Sequence, residues 1–331
     1  MPTTLGTLRR LVLTPALVET TFARRGFPVR DDEVTQRLEA IPQAVICGFE
    51  WGIESPGHWE LERRLNLVDV EMRGFAYEGA AMALTVLDAM GTGRAQRARQ
   101  FLTGPAVPHT LLTYIGIGFA MARLPRPLWR KVVPDLTGTP YYPTMSWLAV
   151  DGYGFDKAFF HTARYVTRQE TLPAYPWLGR ADYFPHAVDQ GIGRALWFIH
   201  GADCAAVTAA VGRFAPERHA DLWSGVGLAA TFAGGASSEQ LSRLRDDSGG
   251  YAPHVAQGAV FAARARDLAG YTPAHTAVAV RALTGLETER AAALADEVVA
   301  GGLDDGPEPD YEVWRRRIRE CFTTDRPTTV G

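Results

Sequence analysis

The chain has 331 residues, of which 47% are hydrophobic and 21% charged, and its formal net charge at pH 7 is -3. This composition supports a sizeable hydrophobic core and is not that of a disordered protein. Such a charge gives no basic surface for nucleic acid or for an anionic membrane, so we expect neither partner. Cys47, Cys204 and Cys321 are odd in number and far apart, which argues against a disulfide framework or a thiolate zinc site.

Residues 1 to about 70 are predicted to form a lead-in segment that packs on the rest of the chain. The first fifteen residues include two arginines but no apolar run of signal-peptide length. The longest uncharged apolar stretch, about 110–122, is shorter than the ~20 residues that cross a bilayer. We therefore expect a cytoplasmic protein with no integral membrane segment. Short stretches such as Ala44 to Gly52 are the few places where a β-strand could form.

From about residue 71 to 300 the sequence contains degenerate copies of a glycine-rich helix. Three copies share the frames GIGFAMARL, GIGRALWFI and GVGLAATFA, two fit loosely, and KAFFHTARY fills the remaining gap. The first residues of the six copies, called anchors below, are Gly79, Gly116, Lys157, Gly191, Gly225 and Gly258. Glycine inside a helix costs ~1 kcal/mol relative to alanine, so its recurrence indicates close packing between helices.

Successive anchors lie 33 to 41 residues apart, and a turn signal and a second helical stretch separate them. We therefore predict an all-α single domain of about six helix hairpins, stacked as a solenoid or curled into a toroid. Residues 301–331 are predicted to form a tail with one amphipathic helix. The alternative is that these helices resemble one another only because they are rich in alanine and glycine.

The copy that begins at Lys157 departs from the pattern. Lys157 replaces the anchor glycine, and His161 replaces the alanine found four residues later in the other copies. If the frame is correct, this helix face cannot pack as the others do and should border a cavity, which would tune both pKa values. The alternative is that the copy is misaligned and that both side chains are exposed.

The residue just before each anchor is polar in five of the six copies. In chain order, the six residues at this position are Glu78, Ile115, Asp156, Gln190, Ser224 and Gln257, of which only Ile115 is apolar. Equivalent positions on stacked helices face one direction, so we predict that they surround a polar pocket. The alternative is that they satisfy helix ends or lie where buried and wet faces meet.

A second concentration of polar residues lies around Gly191. Pro185 suits a first helical turn. A helix that starts there puts His186, Gln190 and Arg194 on one face, with Asp189 at its edge and His200 at its end. The candidate catalytic residues are therefore Glu78, Asp156, His161, Asp189, Gln190, Arg194 and His200.

Metal binding is a further hypothesis, and the cofactor is left open. The side chains that could hold a transition metal are Glu78, Asp156, His161 and His186. No HExxH or paired ExxH pattern is present, and Pro185 argues against a helical pairing of Asp182 with His186. Asp246-Asp247 and Asp304-Asp305 are similar to the aspartate clusters of terpene cyclases, but they stand beside Gly or Pro in predicted loops.

Four blocks of the sequence carry a family resemblance: FAYEGAAMAL, WLAVDGYGFDKAFFH, DQGIGRALWFIHGAD and DLWSGVGLAATFAGG. They resemble a family of unknown function from actinomycete genomes, the DUF1702 type, whose members are usually described as enediyne biosynthesis proteins. The resemblance covers nearly the whole chain. It implies an accessory protein of enediyne polyketide biosynthesis that helps to convert a linear polyene into the enediyne core. It supplies no settled catalytic residues.

Three functions remain open from the sequence. The first is an enzyme that binds a long polyene or polyyne in a helical cavity, with Glu78, Asp156 and His161 in acid-base or metal-assisted chemistry. The second is a non-catalytic scaffold or carrier that holds the intermediate or docks on other proteins of the enediyne cassette. The third is a helical enzyme similar to terpene cyclases.

Overall fold

The computed structural model describes residues 16–29, 32–55, 57–91, 96–299, 302–303 and 306–323. All the regular structure within these ranges is helical, and the sole β-type pairing there is an isolated bridge between Trp177 and Arg180. The prediction of an all-α protein is confirmed. The stretch from Ala44 to Gly52, considered above as a strand, lies inside a helix instead. Within these ranges no helix is both long and apolar enough to cross a membrane.

Fifteen α-helices occur in the described part of the chain. In order they are α1 (Phe22–Arg25), α2 (Asp32–Glu54), α3 (His58–Leu65), α4 (Val70–Met90), α5 (Arg97–Leu102), α6 (Thr110–Arg123), α7 (Trp147–Phe160), α8 (Phe184–Ile199), α9 (Cys204–Val211), α10 (His219–Ala233), α11 (Ser238–Asp247), α12 (Ala252–Leu268), α13 (Ala274–Thr284), α14 (Thr288–Glu297) and α15 (Asp310–Glu320). Short 3-10 helices cover Leu17–Thr20, Val107–His109, Arg126–Lys131, Thr144–Ser146, Pro216–Arg218 and Gly249–Tyr251, and a π-helical turn covers Ala163–Thr167.

Seven of the longer helices pack side by side in chain order. They are α2, α4, α6, α7, α8, α10 and α12. This row curves, because α4 also reaches the far end of it: the ring of Phe75 meets that of Phe232 edge to face at 5.3 Å. Arg266 of α12 donates a hydrogen bond of 3.0 Å to the carbonyl of Glu71. The curved row therefore encloses a central space.

Glycines set the distance between neighbouring helices of the row. A Cβ at any of the five predicted anchor glycines would lie closer than 3.0 Å to a backbone carbonyl oxygen of the preceding helix in the row. In α7 the glycine that makes this contact is Gly152, against the carbonyl of Ile115, and not Lys157. The glycine contact of α7 therefore lies five residues before Lys157, the anchor that the sequence predicted for this helix.

A second glycine, two residues further on, contacts the following helix. In α6, α7, α8 and α10 these glycines are Gly118, Gly154, Gly193 and Gly227, and each lies against a carbonyl of the next helix. Gly48 of α2 makes the same contact with Ala76 of α4. Helix α2, which falls in the predicted lead-in segment, thus packs on α4 through the same kind of glycine contact as the later helices.

Local signals fix the ends of the helices that carry the polar residues. The side chain of Asp69 accepts a hydrogen bond from the backbone N–H of Glu71 and so caps the start of α4. Pro185 occupies the first turn of α8, as predicted. Pro309 precedes α15, whose Tyr311 and Arg315 are buried against the helix row.

Candidate functional site

Two adjoining cavities lie inside the curved row of helices. Their volumes are about 40 Å³ and about 80 Å³. Four residues line both cavities: Phe75, Glu78, Arg194 and Phe198. The Glu78 and Arg194 side chains therefore stand where the two spaces meet.

The walls of both cavities are mainly apolar. The first cavity is lined further by Leu111, Leu112, Ile115, Met145, Leu148, Leu228, Ala229, Phe232, Ala233, Phe261, Ala262 and Ala265. The second is lined further by Thr20, Ile41, Pro42, Val45, Ile46, Met82, Phe119, Arg123, Phe155, Asp156, Phe159 and Phe160. Six helices of the row contribute residues to the wall of the first cavity, so this cavity lies between all six helices and not within a single helix pair.

Glu78 carries a buried carboxyl group that lines both cavities. It is 2% exposed, and it makes no hydrogen bond to the part of the chain that the structure describes. Burial raises the pKa of Glu78 to about 8, while Arg194 lowers it and Asp151 raises it. At neutral pH this carboxyl is therefore largely protonated, and it can exchange a proton with a bound molecule close to its own pKa.

An ion pair with Asp151, which the sequence did not predict, holds the Arg194 side chain beside Glu78. Nη1 of Arg194 contacts the buried carboxylate of Asp151, and its guanidinium lies 5.1 Å from the ring centroid of Phe155. Gln190 donates a second hydrogen bond to Asp151, from Nε2 at 2.7 Å. Because Asp151 balances its charge, Arg194 can be kept in an apolar wall.

Four of the polar residues that precede contact glycines are joined by hydrogen bonds into a polar row: Asp151, Gln190, Ser224 and Gln257. Ser224 donates a hydrogen bond of 2.7 Å to Gln257, and Gln190 donates one of 2.9 Å to the hydroxyl of Tyr311. Gln190 also joins this row to Asp151. Asp151, which directly precedes Gly152, takes the position that the sequence frame gave to Asp156. The row is a set of buried hydrogen bonds between helices rather than an open pocket.

Asp156 lines the second cavity from another position on α7. It stands four residues after Gly152, where the other copies have alanine, and it is buried. Nη1 of Arg123 lies 2.8 and 2.7 Å from its two carboxylate oxygens. The neighbouring Lys157 donates to the carbonyl of Ala122 at 3.2 Å and is not part of the cavity wall.

Two predicted histidines lie apart from both cavities. His161 is exposed at the end of α7, and burial, then the charge of Lys157, lower its pKa. In α7 the glycine that contacts the preceding helix is Gly152 and not position 157, so the sequence frame that put His161 on a cavity wall does not apply to this helix. His200 ends α8; burial lowers its pKa to about 4, and its Nε2 has no partner among the described residues.

Asp189 and His186 of α8 are engaged elsewhere. Burial raises the pKa of Asp189, which accepts hydrogen bonds of 2.9 and 2.5 Å from Arg218. His186 faces an open surface groove, where its Nδ1 lies 2.8 Å from Oδ2 of the buried Asp221. Of the predicted catalytic set, Glu78, Asp156 and Arg194 line the interior cavities. Gln190 does not line them, but it donates a hydrogen bond to Asp151, the ion-pair partner of Arg194.

The four side chains considered for a metal do not come together. Glu78 and Asp156 line the second cavity, but His161 is exposed and His186 lies in the surface groove. Across the described ranges, no three His, Cys, Asp or Glu side chains are arranged to hold a metal ion.

The other acidic motifs are also distant from the interior. Asp182 pairs with Arg180 before α8 begins. Asp246 and Asp247 are exposed at the end of α11, and Asp304-Asp305 lie outside the described residues.

Sequence reasoning missed Asp151 and Arg123. The signal for Asp151 was present in the block WLAVDGYGF, where Gly152 and Gly154 repeat the glycine spacing of the GIG frames. Aligning on that spacing, instead of on an even interval between anchors, would have put Asp151 in the polar row. Nothing comparable marks Arg123, whose role depends on the packing of α6 against α7.

The fold and the interior define an all-helical protein with adjoining, mainly apolar cavities that contain the carboxyl group of Glu78 and are bordered by two ion pairs, Arg194–Asp151 and Arg123–Asp156. The chain belongs to a family described as a protein of unknown function, DUF1702, whose model matches residues 4–322. Neither the curated proteins nor the solved structures include a significant match to the chain.

Proposed function

We propose that the helices of the row are copies of one unit, curled into a toroid-like domain, and that the enclosed space binds a long, mostly apolar molecule. The equivalent glycine contacts of successive helices support the repeat. The apolar walls support the ligand class, since the polar groups within them are few and placed together. Two adjoining cavities suit a slender molecule better than a compact one.

The resemblance seen in the sequence narrows the class of ligand. Proteins described as enediyne biosynthesis proteins accompany synthases that make linear polyenes, so a conjugated polyene or polyyne is the ligand that we propose. Such a molecule is rod-like and apolar, and aromatic side chains such as Phe75, Phe155 and Phe198 offer it extended contact area. Other proteins of the same pathway would then be the partners that deliver or receive it.

We further propose that Glu78 transfers a proton to or from this ligand. The observation that carries this step is a buried carboxyl with a pKa of about 8 and no hydrogen-bond partner in the described structure. When Glu78 gives up its proton, the adjacent charge of Arg194 stabilises the carboxylate that remains. When it accepts a proton from a carbon or an oxygen of the ligand, the apolar wall favours the neutral product.

A carrier without catalysis is the second candidate, because the same apolar walls would serve to hold an intermediate. Binding itself can be tested with methyl trans-parinarate, an uncharged linear tetraene whose fluorescence rises in apolar surroundings. We expect Ala229→Phe, which fills the first cavity, to weaken its binding at least roughly tenfold, through overpacking and lost space. The matched control is Ala277→Phe on the exposed side of α13. Equal binding by both variants, with unchanged helix content, would reject the cavity as the binding site.

The choice between enzyme and carrier depends on the proton at Glu78. Glu78→Gln preserves the size of the side chain and its hydrogen-bonding capacity but removes the exchangeable acid. The test uses a producing host from which this protein has been deleted. If the protein is an enzyme, the Glu78→Gln variant should bind the tetraene normally but should not restore formation of the pathway product. The control is Glu289→Gln, an exposed glutamate of α14. Full restoration by Glu78→Gln would reject catalysis at this residue and leave the carrier.

A further inference from the structure

Positive charge is concentrated beside part of the wall of the second cavity. We call Arg25, Arg123 and Lys157 the basic mouth. Arg123 lines the cavity and pairs with Asp156, Arg25 packs on the wall residues Phe159 and Phe160, and Lys157 follows Asp156 in α7. We infer that the molecule bound in the cavity carries a carboxylate head group, which the basic mouth binds, and the inference rests on the proposed function. The apolar part of the molecule then follows the cavity wall toward Glu78.

The guanidinium groups of Arg25 and Arg123 both lie against the ring of Phe160. Phe160 lines the second cavity, and its ring centroid lies 5.5 Å from the guanidinium carbon of Arg25 and 5.2 Å from that of Arg123. Arg25 also lies 5.7 Å from the ring centroid of Phe159, another wall residue. Aromatic rings hold guanidinium groups in fixed orientations while leaving their N–H donors available.

The guanidinium groups of Arg25 and Arg123 have more N–H donors than the described structure offers them acceptors. Each guanidinium has five N–H donors. Arg123 uses Nη1 for both oxygens of Asp156, and the described residues supply no bond to its Nη2 or Nε. Arg25 donates from Nη2 to the carbonyl of Phe159 at 2.6 Å, while its buried Nε has no partner in the described structure. A further acceptor group would satisfy donors on both side chains.

The charge balance points to an anion as that acceptor. Besides Asp156, the carboxylate of Glu19 acts on Arg25, but Glu19 is paired with a fourth cation, Arg24, at 3.1 Å. Four cationic side chains thus stand against two carboxylates. Lys157 has only the carbonyl of Ala122 as a hydrogen-bond partner in the described structure. A carboxylate fits this arrangement because its two oxygens can accept paired hydrogen bonds from a guanidinium fork. The ligand class is therefore a linear, conjugated carboxylic acid.

The test compares two ligands that differ only in the head group, trans-parinaric acid and its methyl ester, by fluorescence titration at pH 7.5. We expect the wild-type protein to bind the acid roughly tenfold more tightly than the ester, as a charge-assisted contact implies. Arg25→Gln should remove most of this preference for the acid over the ester. The control is Arg63→Gln, since Arg63 also stacks on an aromatic ring, that of Trp59 at 4.8 Å, on another surface.

A second variant keeps the inference testable if Arg25→Gln fails to fold. Arg123→Gln combined with Asp156→Asn removes the cation without leaving a buried carboxylate unpaired, and we expect it to reduce the preference for the acid as well. Equal affinity of the wild-type protein for acid and ester would overturn the head-group inference while leaving the cavity proposal intact. A preference that survives both variants would overturn it too. Failure to bind either ligand would overturn the proposed function and this inference together.

Discussion

Gly116 lies against the backbone carbonyl of Glu78, so α6 and α4 are in close contact at the residue whose carboxyl lines both cavities. A Cβ at position 116 would come closer than 3.0 Å to that carbonyl oxygen, a distance that side-chain carbons do not reach. The position of Glu78 between the two cavities therefore depends on a residue without a side chain in the neighbouring helix.

Gly116→Ala is accordingly expected to destabilise the protein. Alanine is the better helix former by ~1 kcal/mol, but the clash with a backbone carbonyl can be relieved only if α4 and α6 move apart. We expect a net loss of roughly 1–3 kcal/mol, the usual cost of overpacking, measured as the free energy of unfolding in urea. Gly250→Ala is the control, because a Cβ there would meet nothing within 4 Å. A Gly116→Ala protein as stable as the wild type would contradict the close contact.

The raised pKa of Glu78 makes stability depend on pH in a predictable direction. An unfolded chain loses this proton near pH 4.5, whereas the folded protein keeps it up to about pH 8. Between these values the folded state binds more protons, so raising the pH destabilises it, by at most ~1.4 kcal/mol per pH unit from this group. Glu78→Gln removes the dependence.

The measurement is urea unfolding of the wild-type and Glu78→Gln proteins at pH 5.5 and pH 8.5. We expect Glu78→Gln to gain stability relative to the wild type as the pH rises, by up to a few kcal/mol over this range. Glu289→Gln, the exposed control, should stay parallel to the wild type. If the difference between wild type and Glu78→Gln is the same at both pH values, Glu78 does not titrate in this range.

Arg315 provides a test of the buried network around α15. Its side chain is 1% exposed and donates to Asp221 and to Glu312, at 2.8 and 2.7 Å. Removing one partner of a buried ion pair leaves charge without compensation, which typically costs about 3–5 kcal/mol. We therefore expect Arg315→Leu to lose stability on that scale in urea unfolding. The next residue gives the control: Arg316 is 42% exposed, and Arg316→Leu should change stability by no more than ~0.5 kcal/mol. Equal effects of the two substitutions would contradict the burial of Arg315.

The all-α class could be predicted from the sequence because the signals for each helix lie within the helix itself and its immediate flanks. Apolar residues recur at helical spacing, and Gly116, Gly191 and Gly225 recur in similar surroundings, so five of the contact glycines could be identified without coordinates. The same locality explains the start of α8 at Pro185. These features need only a helix and its immediate neighbours in the chain.

The candidate site could be predicted only in part, for a physical reason. Glu78 and Arg194 were found because they stand beside recognisable glycine frames. His161 was misplaced because the interval between successive helices varies, and an even spacing put the anchor five residues too late. Arg123 and its contact with Asp156 depend on how α6 rotates against α7, which no spacing within a single helix determines.

The His186–Asp221 pair on the surface groove supports a last prediction, which concerns protonation. The hydrogen bond from His186 to Asp221 raises the pKa of His186, although burial opposes the shift. For Asp221, burial raises the pKa, but the charge of Arg315 and the contact with His186 together lower it. The contribution of the pair to stability is thus fully present below pH ~6.5, the ordinary pKa of histidine, and is lost as the pH rises through the raised value.

We expect the His186 ring resonances to titrate above pH ~6.5 in NMR spectra, and Asp221→Asn to move the midpoint down. His200 gives an internal reference in the same spectra, because burial lowers its pKa to about 4 and its signal should stay constant between pH 5.5 and 8. Thermal unfolding adds an independent measurement: His186→Gln should lower the melting temperature more at pH 6 than at pH 8.5. Because the His186 side chain is half exposed, the difference should be small and should shrink further with added salt. A His186 midpoint below the ordinary value, or a larger effect of His186→Gln at the higher pH, would show that Asp221 does not hold the protonated imidazole.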